Sequence, residues 1–244
     1  MKRTIATLAL FVLVAFSAGC KHKAPQASSP QPTAFGAALV ESSGGKQVTT
    51  VGSSLPQPLV VQVNDEQGNA IAGALVKLSG PAGVEFDPPS GITDSSGQVT
   101  SNISLAGMAG RYQIVASTES KTHKPIDLNV EEIALGYQEG LGRELNLQYC
   151  DRCHNSESTA ERVSNYDNLE VKPHPFSEGE TLNKISDADL LAIIGHGGPS
   201  LNKSPLMPAY GYTLSKAEMQ ALIAYIRAVS DPPYRSRGSI YAKN

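Results

Sequence analysis

Cys150-Asp151-Arg152-Cys153-His154 sets two thiols three positions apart, with an imidazole directly after the second. Three chemistries use that arrangement. The two thiols can form thioethers with the two vinyl groups of one porphyrin, while the neutral imidazole comes up beneath the ring as the fifth ligand to iron. C-x-x-C-H is the c-type haem attachment signature. A zinc ribbon would need a second C-x-x-C, and the sequence contains none. A thioredoxin-like redox pair would want a βαβ pattern ahead of it, and the segment before Tyr149 reads as helix rather than strand. The chain has 3 Cys, and the third, Cys20, closes an N-terminal export segment, so none remains for a disulfide. Haem attachment is the reading these residues favour. Iron held by His154 then needs a sixth ligand or keeps an open site, and the candidates are His174, His196, Met207 and Met219.

Helices must position these groups. Tyr137 to Tyr149 carries Leu141 and Leu145 four apart, which predicts one apolar helix face. Ser215-Lys216-Ala217-Glu218 is a capping box, with Leu214 and Met219 placed for a hydrophobic staple. Met219, Leu222, Ile223 and Ile226 then form a continuous apolar stripe, which makes Met219 a core residue, and Asp231-Pro232-Pro233 stops the helix. A shorter helix opens at Ser186-Asp187-Ala188-Asp189, buries Leu190, Leu191, Ile193 and Ile194, and ends at Gly195.

This part of the chain resembles class I cytochromes c, which are all-α. Gly142 and Leu145 stand where that family has a glycine and an aliphatic residue before the first haem Cys, and Leu214 to Arg227 resembles its terminal helix. Asn146 stands where the family has an aromatic, a gap that Leu147 or Tyr149 could fill. The resemblance implies that Met207 is the axial ligand, because it lies in Ser204-Pro205-Leu206-Met207-Pro208, a loop stiffened by two prolines just before the last helix. A thioether is a weak ligand alone, so a preorganised loop is what would let it bind. The resemblance also implies a Pro carbonyl against the imidazole N–H, from Pro173 or Pro175. His196, in Gly195-His196-Gly197-Gly198, is the rival sixth ligand, and His174 reads as a loop residue.

From Gly36 to Leu135 the texture is short β-rich runs: Leu59–Val63, Ala74–Leu78, Gln98–Leu105, Tyr112–Ala116 and Asp127–Val130. Period-two alternation with Gly, Pro, Asn or Asp at the breaks is a sandwich pattern. Val63-Asn64-Asp65, Gly68-Asn69, Thr93-Asp94-Ser95-Ser96-Gly97 and Ala109-Gly110-Arg111-Tyr112 resemble bacterial immunoglobulin-like domains of the invasin and intimin type. That likeness implies a spacer or docking module, with ligand binding or adhesion as the alternative. His123 sits in a polar loop of this region.

Met1-Lys2-Arg3 followed by the apolar run Ile5 to Phe16 reads as a signal peptide, since a dozen residues fall short of the roughly 20 a bilayer core requires. Ser17-Ala18-Gly19-Cys20 resembles the lipobox of bacterial lipoproteins, with Ser17 where Leu is usual; the resemblance implies that Cys20 carries the lipid. Two or more acyl chains would anchor the protein stably. Residues 21–35 are a Pro/Ser/Gln-rich tether, including a solvated His22, that spans roughly 20 Å on average. The expected layout is signal peptide 1–19, lipidated Cys and tether 20–35, β-sandwich 36–135, cytochrome c domain 136–234 and polar tail 235–244.

The formal net charge of -3 provides no basic field for phosphates, so nucleic acid is not an expected partner. An export signal suits haem ligation, which in c-type cytochromes takes place outside the cytoplasm. The expectation is therefore a lipid-anchored protein of the bacterial cell envelope, on the periplasmic side or in the outer membrane. It would bear one covalent haem c and exchange electrons with redox proteins there. A haem enzyme or gas sensor with an open sixth site, for which His196 is the one suggestive acid–base group, is the first alternative. An adhesin-like protein with an auxiliary haem is the second.

Overall fold

The computed structural model describes residues 31–157 and 163–236. The expected export segment, Cys20, His22 and the tail from residue 237 lie outside them. Among the described residues no helix is long and apolar enough to cross a membrane.

Residues 38–135 form nine strands: β1 (Ala38–Ser43), β2 (Val48–Thr50), β3 (Leu59–Asn64), β4 (Leu75–Ser79), β5 (Glu85–Asp87), β6 (Ser90–Ile92), β7 (Gln98–Ser104), β8 (Gly110–Glu119) and β9 (Pro125–Leu135). They make two sheets, ordered β1-β3-β7-β5 and β2-β9-β8-β4-β6. Neighbours are antiparallel except β2 and β9, which pair in parallel. Alternate side chains turn inward: Leu59, Val61 and Val63 from β3, Val99 and Ile103 from β7, Ile114 and Ala116 from β8. Each buried Val, Leu or Ile contributes roughly 1.5–3 kcal/mol over its exposed state, and these facing rows are the sandwich core.

The predicted runs coincide with β3, β4, β7, β8 and part of β9. The four strands the pattern missed are edges or fragments: β1 exposes most of its length, and β2, β5 and β6 have three residues each. Two turns behave as their sequences imply. The Asp65 carboxylate accepts the backbone N–H of Gln67 and Asn69, and Asp94 does the same for Ser96 and Gln98. Gly68 and Gly97 supply the positive φ (85° and 74°) that lets each turn close. His123 is exposed, as expected, with Phe35 edge-on to its ring.

The chain enters the sandwich at one pole and leaves at the other. Thr33 N–H donates to the Gly73 carbonyl and Gly36 N–H to that of Glu119, at the last residue of β8. The attachment thus begins at Thr33, a little before the expected boundary. Gly110, at the first residue of β8, pairs with Ala134 of β9, and β9 ends at Leu135. Only Gly136 separates β9 from the first helix.

The described residues after Gly136 form α1 (Tyr137–Leu145), a π-helical turn (Asn146–Cys150), α2 (Asp151–His154), α3 (Gly179–Leu182), α4 (Asp187–His196) and α5 (Lys216–Val229), with two 3₁₀ turns and one isolated bridge between Glu178 and Asp231. The expected helix from Tyr137 therefore runs on to His154 but widens by a π turn at the haem-motif end. Its buried face is Gly142, Leu145 and Asn146, whereas Leu141 is exposed, which corrects the expected Leu141–Leu145 stripe. Leu147 is half exposed and Tyr149 packs on the helical core, so of the two proposed replacements only Tyr149 turns inward. The α5 capping box is complete: Ser215 Oγ accepts Glu218 N–H and the Glu218 carboxylate accepts Ser215 N–H. α4 ends one residue later than expected, at His196, where Gly197 takes φ +81°.

Candidate functional site

An apolar cavity of about 250 Å³ lies within the helical part, and Cys150, Cys153, His154 and Met207 all line it. Its walls come from α4 (Leu190, Ile194) and α5 (Leu222, Ile226), whose apolar faces the sequence had marked. The π turn and α2 bring the two cysteines and His154 to the wall within a single short stretch.

His154 is fixed in one tautomer. Its Nδ1 lies 2.8 Å from the His174 carbonyl oxygen. A carbonyl only accepts, so Nδ1 carries the hydrogen and Nε2 keeps the lone pair that a metal needs. Desolvation lowers the His154 pKa, partly opposed by that same hydrogen bond, with the nearby His174 charge lowering it further. The imidazole is thereby held neutral, the ligating form. The orienting carbonyl was expected from Pro173 or Pro175; it belongs to His174, the residue between them. The His174 ring is turned to Glu178, 2.8 Å away. Phe176, which the sequence did not single out, packs its ring 4.9 Å from that of His154.

Met207 is half buried and sits in a loop tied at several points to α4 and the turn after it. Gly198 N–H donates to the Met207 carbonyl, Tyr210 N–H to that of Ile194 and Gly211 N–H to that of Gly195. The glycines of Gly195-His196-Gly197-Gly198 serve this close approach. A Cβ on Gly198 would lie 1.9 Å from the Ser204 carbonyl oxygen, and one on Gly197 2.8 Å from that of Met207. His196, the rival ligand, is exposed and outside the cavity lining, and Met219 is core, likewise outside it. Tyr210 is a lining residue the sequence reading missed; its hydroxyl donates to the Tyr149 carbonyl at 2.9 Å and so ties the Met207 loop to the π turn.

The two other chemistries fare poorly here. Burial, with the charges of Asp151 and Cys153, pushes the Cys150 thiol up to about 12. A redox or nucleophilic cysteine has its thiol lowered instead. Among the described residues no group of three or more His, Cys, Asp or Glu gathers where it could hold a metal ion. The residues present do fit a haem: two nearby thiols, a lone pair on a fixed neutral imidazole, a thioether, and a mostly apolar wall.

Residues 139–226 match the family model described as cytochrome C oxidase, cbb3-type, subunit III. Among solved structures the chain is similar to the D00-D0 domain of intimin, at 13% identity over 44% of this chain and 51% of that one, with a TM-score of 0.30. It is also similar to the KustC0563 c-type cytochrome, at 25% identity over 36% of this chain and 96% of that one, TM-score 0.27. A third is the Yersinia pseudotuberculosis adhesin InvE, at 12% identity over 42% and 32%, TM-score 0.31. The chain thus spans about half the length of the intimin fragment. No curated protein matches the chain. The helical part of the chain carries a cytochrome c domain, and such a domain implies covalently bound haem c.

Proposed function

We propose that the protein is a membrane-anchored electron carrier of the bacterial cell envelope, holding one haem c through Cys150 and Cys153 with His154 and Met207 as axial ligands. The observation that carries this reading is the convergence of those four side chains on one apolar cavity, with His154 Nδ1 tied to the His174 carbonyl. Haem c, when bound, supplies an iron that takes up or releases a single electron. The chain's own residues do the rest. His174 sets the imidazole tautomer, the glycine-packed loop presents the Met207 sulfur, and Leu190, Ile194, Leu222 and Ile226 keep water from the wall. With His154 and Met207 both ligating, no site would remain for a substrate, and outer-sphere transfer would be the activity left.

The sandwich then acts as a spacer. The described chain enters at the Glu119 pole and the helical part departs at the Leu135 pole. Ten residues of β8 between those poles span about 30 Å. A lipid on Cys20 would put the membrane at the first pole and the cavity beyond the second.

The absorption spectrum of haem-loaded protein tests the ligation. The wild type should be low-spin with a sulfur-to-iron charge-transfer band toward the red, and slow to take up cyanide or CO. Met207→Ala should lose the band and bind both readily. A high-spin wild type that binds CO at once would sink the His/Met reading in favour of an open-site enzyme or sensor.

A further inference from the structure

The sandwich and the helical domain meet at a built joint. On β8 the Arg111 guanidinium pairs with Glu131 of β9, and its Nη2 donates to the carbonyls of Ala228, at 2.9 Å, and Ser230. Those carbonyls belong to the end of α5, where a helix leaves acceptors without intrahelical partners. The C-cap, Ser230, is fully buried and has φ −60° and ψ 135°, so no left-handed cap residue closes the helix there. The other domain supplies the cationic cap that a helix C-terminus favours.

Apolar contact surrounds this anchor. Ile133 and Leu135 on β9 and Val229 on α5 are buried yet fall in neither domain's core cluster, and β9 packs against both α1 and α5. Lys46, in the loop before β2, reaches Asp231 at 3.8 Å on the exposed rim. With one residue between β9 and α1, the chain provides no slack.

We infer that the sandwich and the helical domain form one rigid body locked by Arg111, so that the sandwich fixes the direction in which the cavity faces rather than merely its distance from the tether. The inference deepens the spacer reading but stands on the joint alone, and holds with or without haem or lipid.

Residual dipolar couplings measured on the full mature chain read the joint directly. In the wild type a single alignment tensor should fit amides of both domains. Arg111→Met should give two tensors of unequal magnitude, while each domain keeps its own chemical-shift dispersion and the visible spectrum of haem-loaded protein is unchanged. Arg111→Lys, which can still face Glu131 but lacks the second nitrogen that reaches the two carbonyls at the same time, should fall between. Lys46→Ala, on the exposed rim, should leave one tensor. Two tensors in the wild type, or one shared tensor in Arg111→Met, would overturn the inference. Should Arg111→Met fail to fold, Arg111→Lys decides alone: a tensor shared as in the wild type overturns the inference, and a split one supports it. A wrong haem assignment would show in the spectrum and leave the couplings untouched.

Discussion

Two methionines in the helical part separate packing from ligation. Met219 sits in the core beside Leu222 and Ile223, and truncating such a side chain leaves a cavity that costs about 2–5 kcal/mol. Met219→Ala should therefore lower the urea midpoint and keep the wild-type visible spectrum, the converse of Met207→Ala. Glu132 carries a different kind of residue-level signal. It is fully buried on β9, Oε2 accepts the Gln47 N–H at 2.7 Å, and Oε1 has no partner among the described residues. Burial, opposed by that hydrogen bond and aided by the charges of Glu41 and Glu131, pushes its carboxyl up to about 7 from an ordinary 4.5. The folded state then binds a proton that the unfolded chain releases between those values. Stability from this group is full below about pH 4.5, is lost as pH rises to about 7, and stays lost above. The loss is on the order of 3 kcal/mol. Glu132→Gln should show little of this slope: less stable than wild type at pH 5, where its buried amide lacks a partner, and equal or better at pH 8. Urea titrations at the two pH values check it, and a wild type equally stable at both would contradict the buried-acid account.

At the scale of elements, the crossing of α1 and α5 is set by one missing side chain. A Cβ on Gly142 would lie 2.1 Å from the Ala221 carbonyl oxygen and 2.8 Å from the Tyr225 Cβ, so Gly142→Ala must force the helices apart. Its expected cost is about 1–3 kcal/mol. Gly140, half a turn earlier, has only Thr50 Cγ2 at 3.9 Å, and Gly140→Ala should stabilise by about 0.5–1 kcal/mol through the unfolded chain. Thermal unfolding of the two variants, shifted in opposite directions, tests the pair. Much of this was readable beforehand, because local chemistry decides it. The α5 cap, the apolar stripe behind it and the C-x-x-C-H turn depend on near neighbours in the chain. What escaped depends on distant partners. The alternation of β9 stops at Val130, where Glu131 and Glu132 break it, although one pairs with Arg111 and the other is buried. The orienting carbonyl of His174 and the tie from Tyr210 to Tyr149 arise from loops whose paths no periodicity records. Likewise, the glycines around His196 serve backbone contact with the Met207 loop, a partner that no local pattern marks.

For the whole molecule, the opposed poles of the sandwich turn a question of anchoring into one of geometry. If Cys20 carries the lipid, Cys20→Ser should move the protein from the membrane fraction to the soluble fraction with its visible spectrum intact. The anchored protein should then stand away from the bilayer in order: tether, sandwich, helical domain. A tether spanning roughly 20 Å on average and the about 30 Å of β8 would put the far pole of the sandwich on the order of 50 Å from the lipid headgroups, with helical-domain density beyond it. Neutron reflectometry of the lipidated protein on a supported bilayer, with the solvent contrast varied, resolves such layers. Helical-domain density lying against the headgroups would mean that the tether folds the molecule back and that the sandwich spaces nothing. Deleting residues 36–135 would not decide the matter, because it removes Arg111 from the end of α5 along with the distance. A loss of electron delivery after that deletion would have two causes, whereas the layer profile has one.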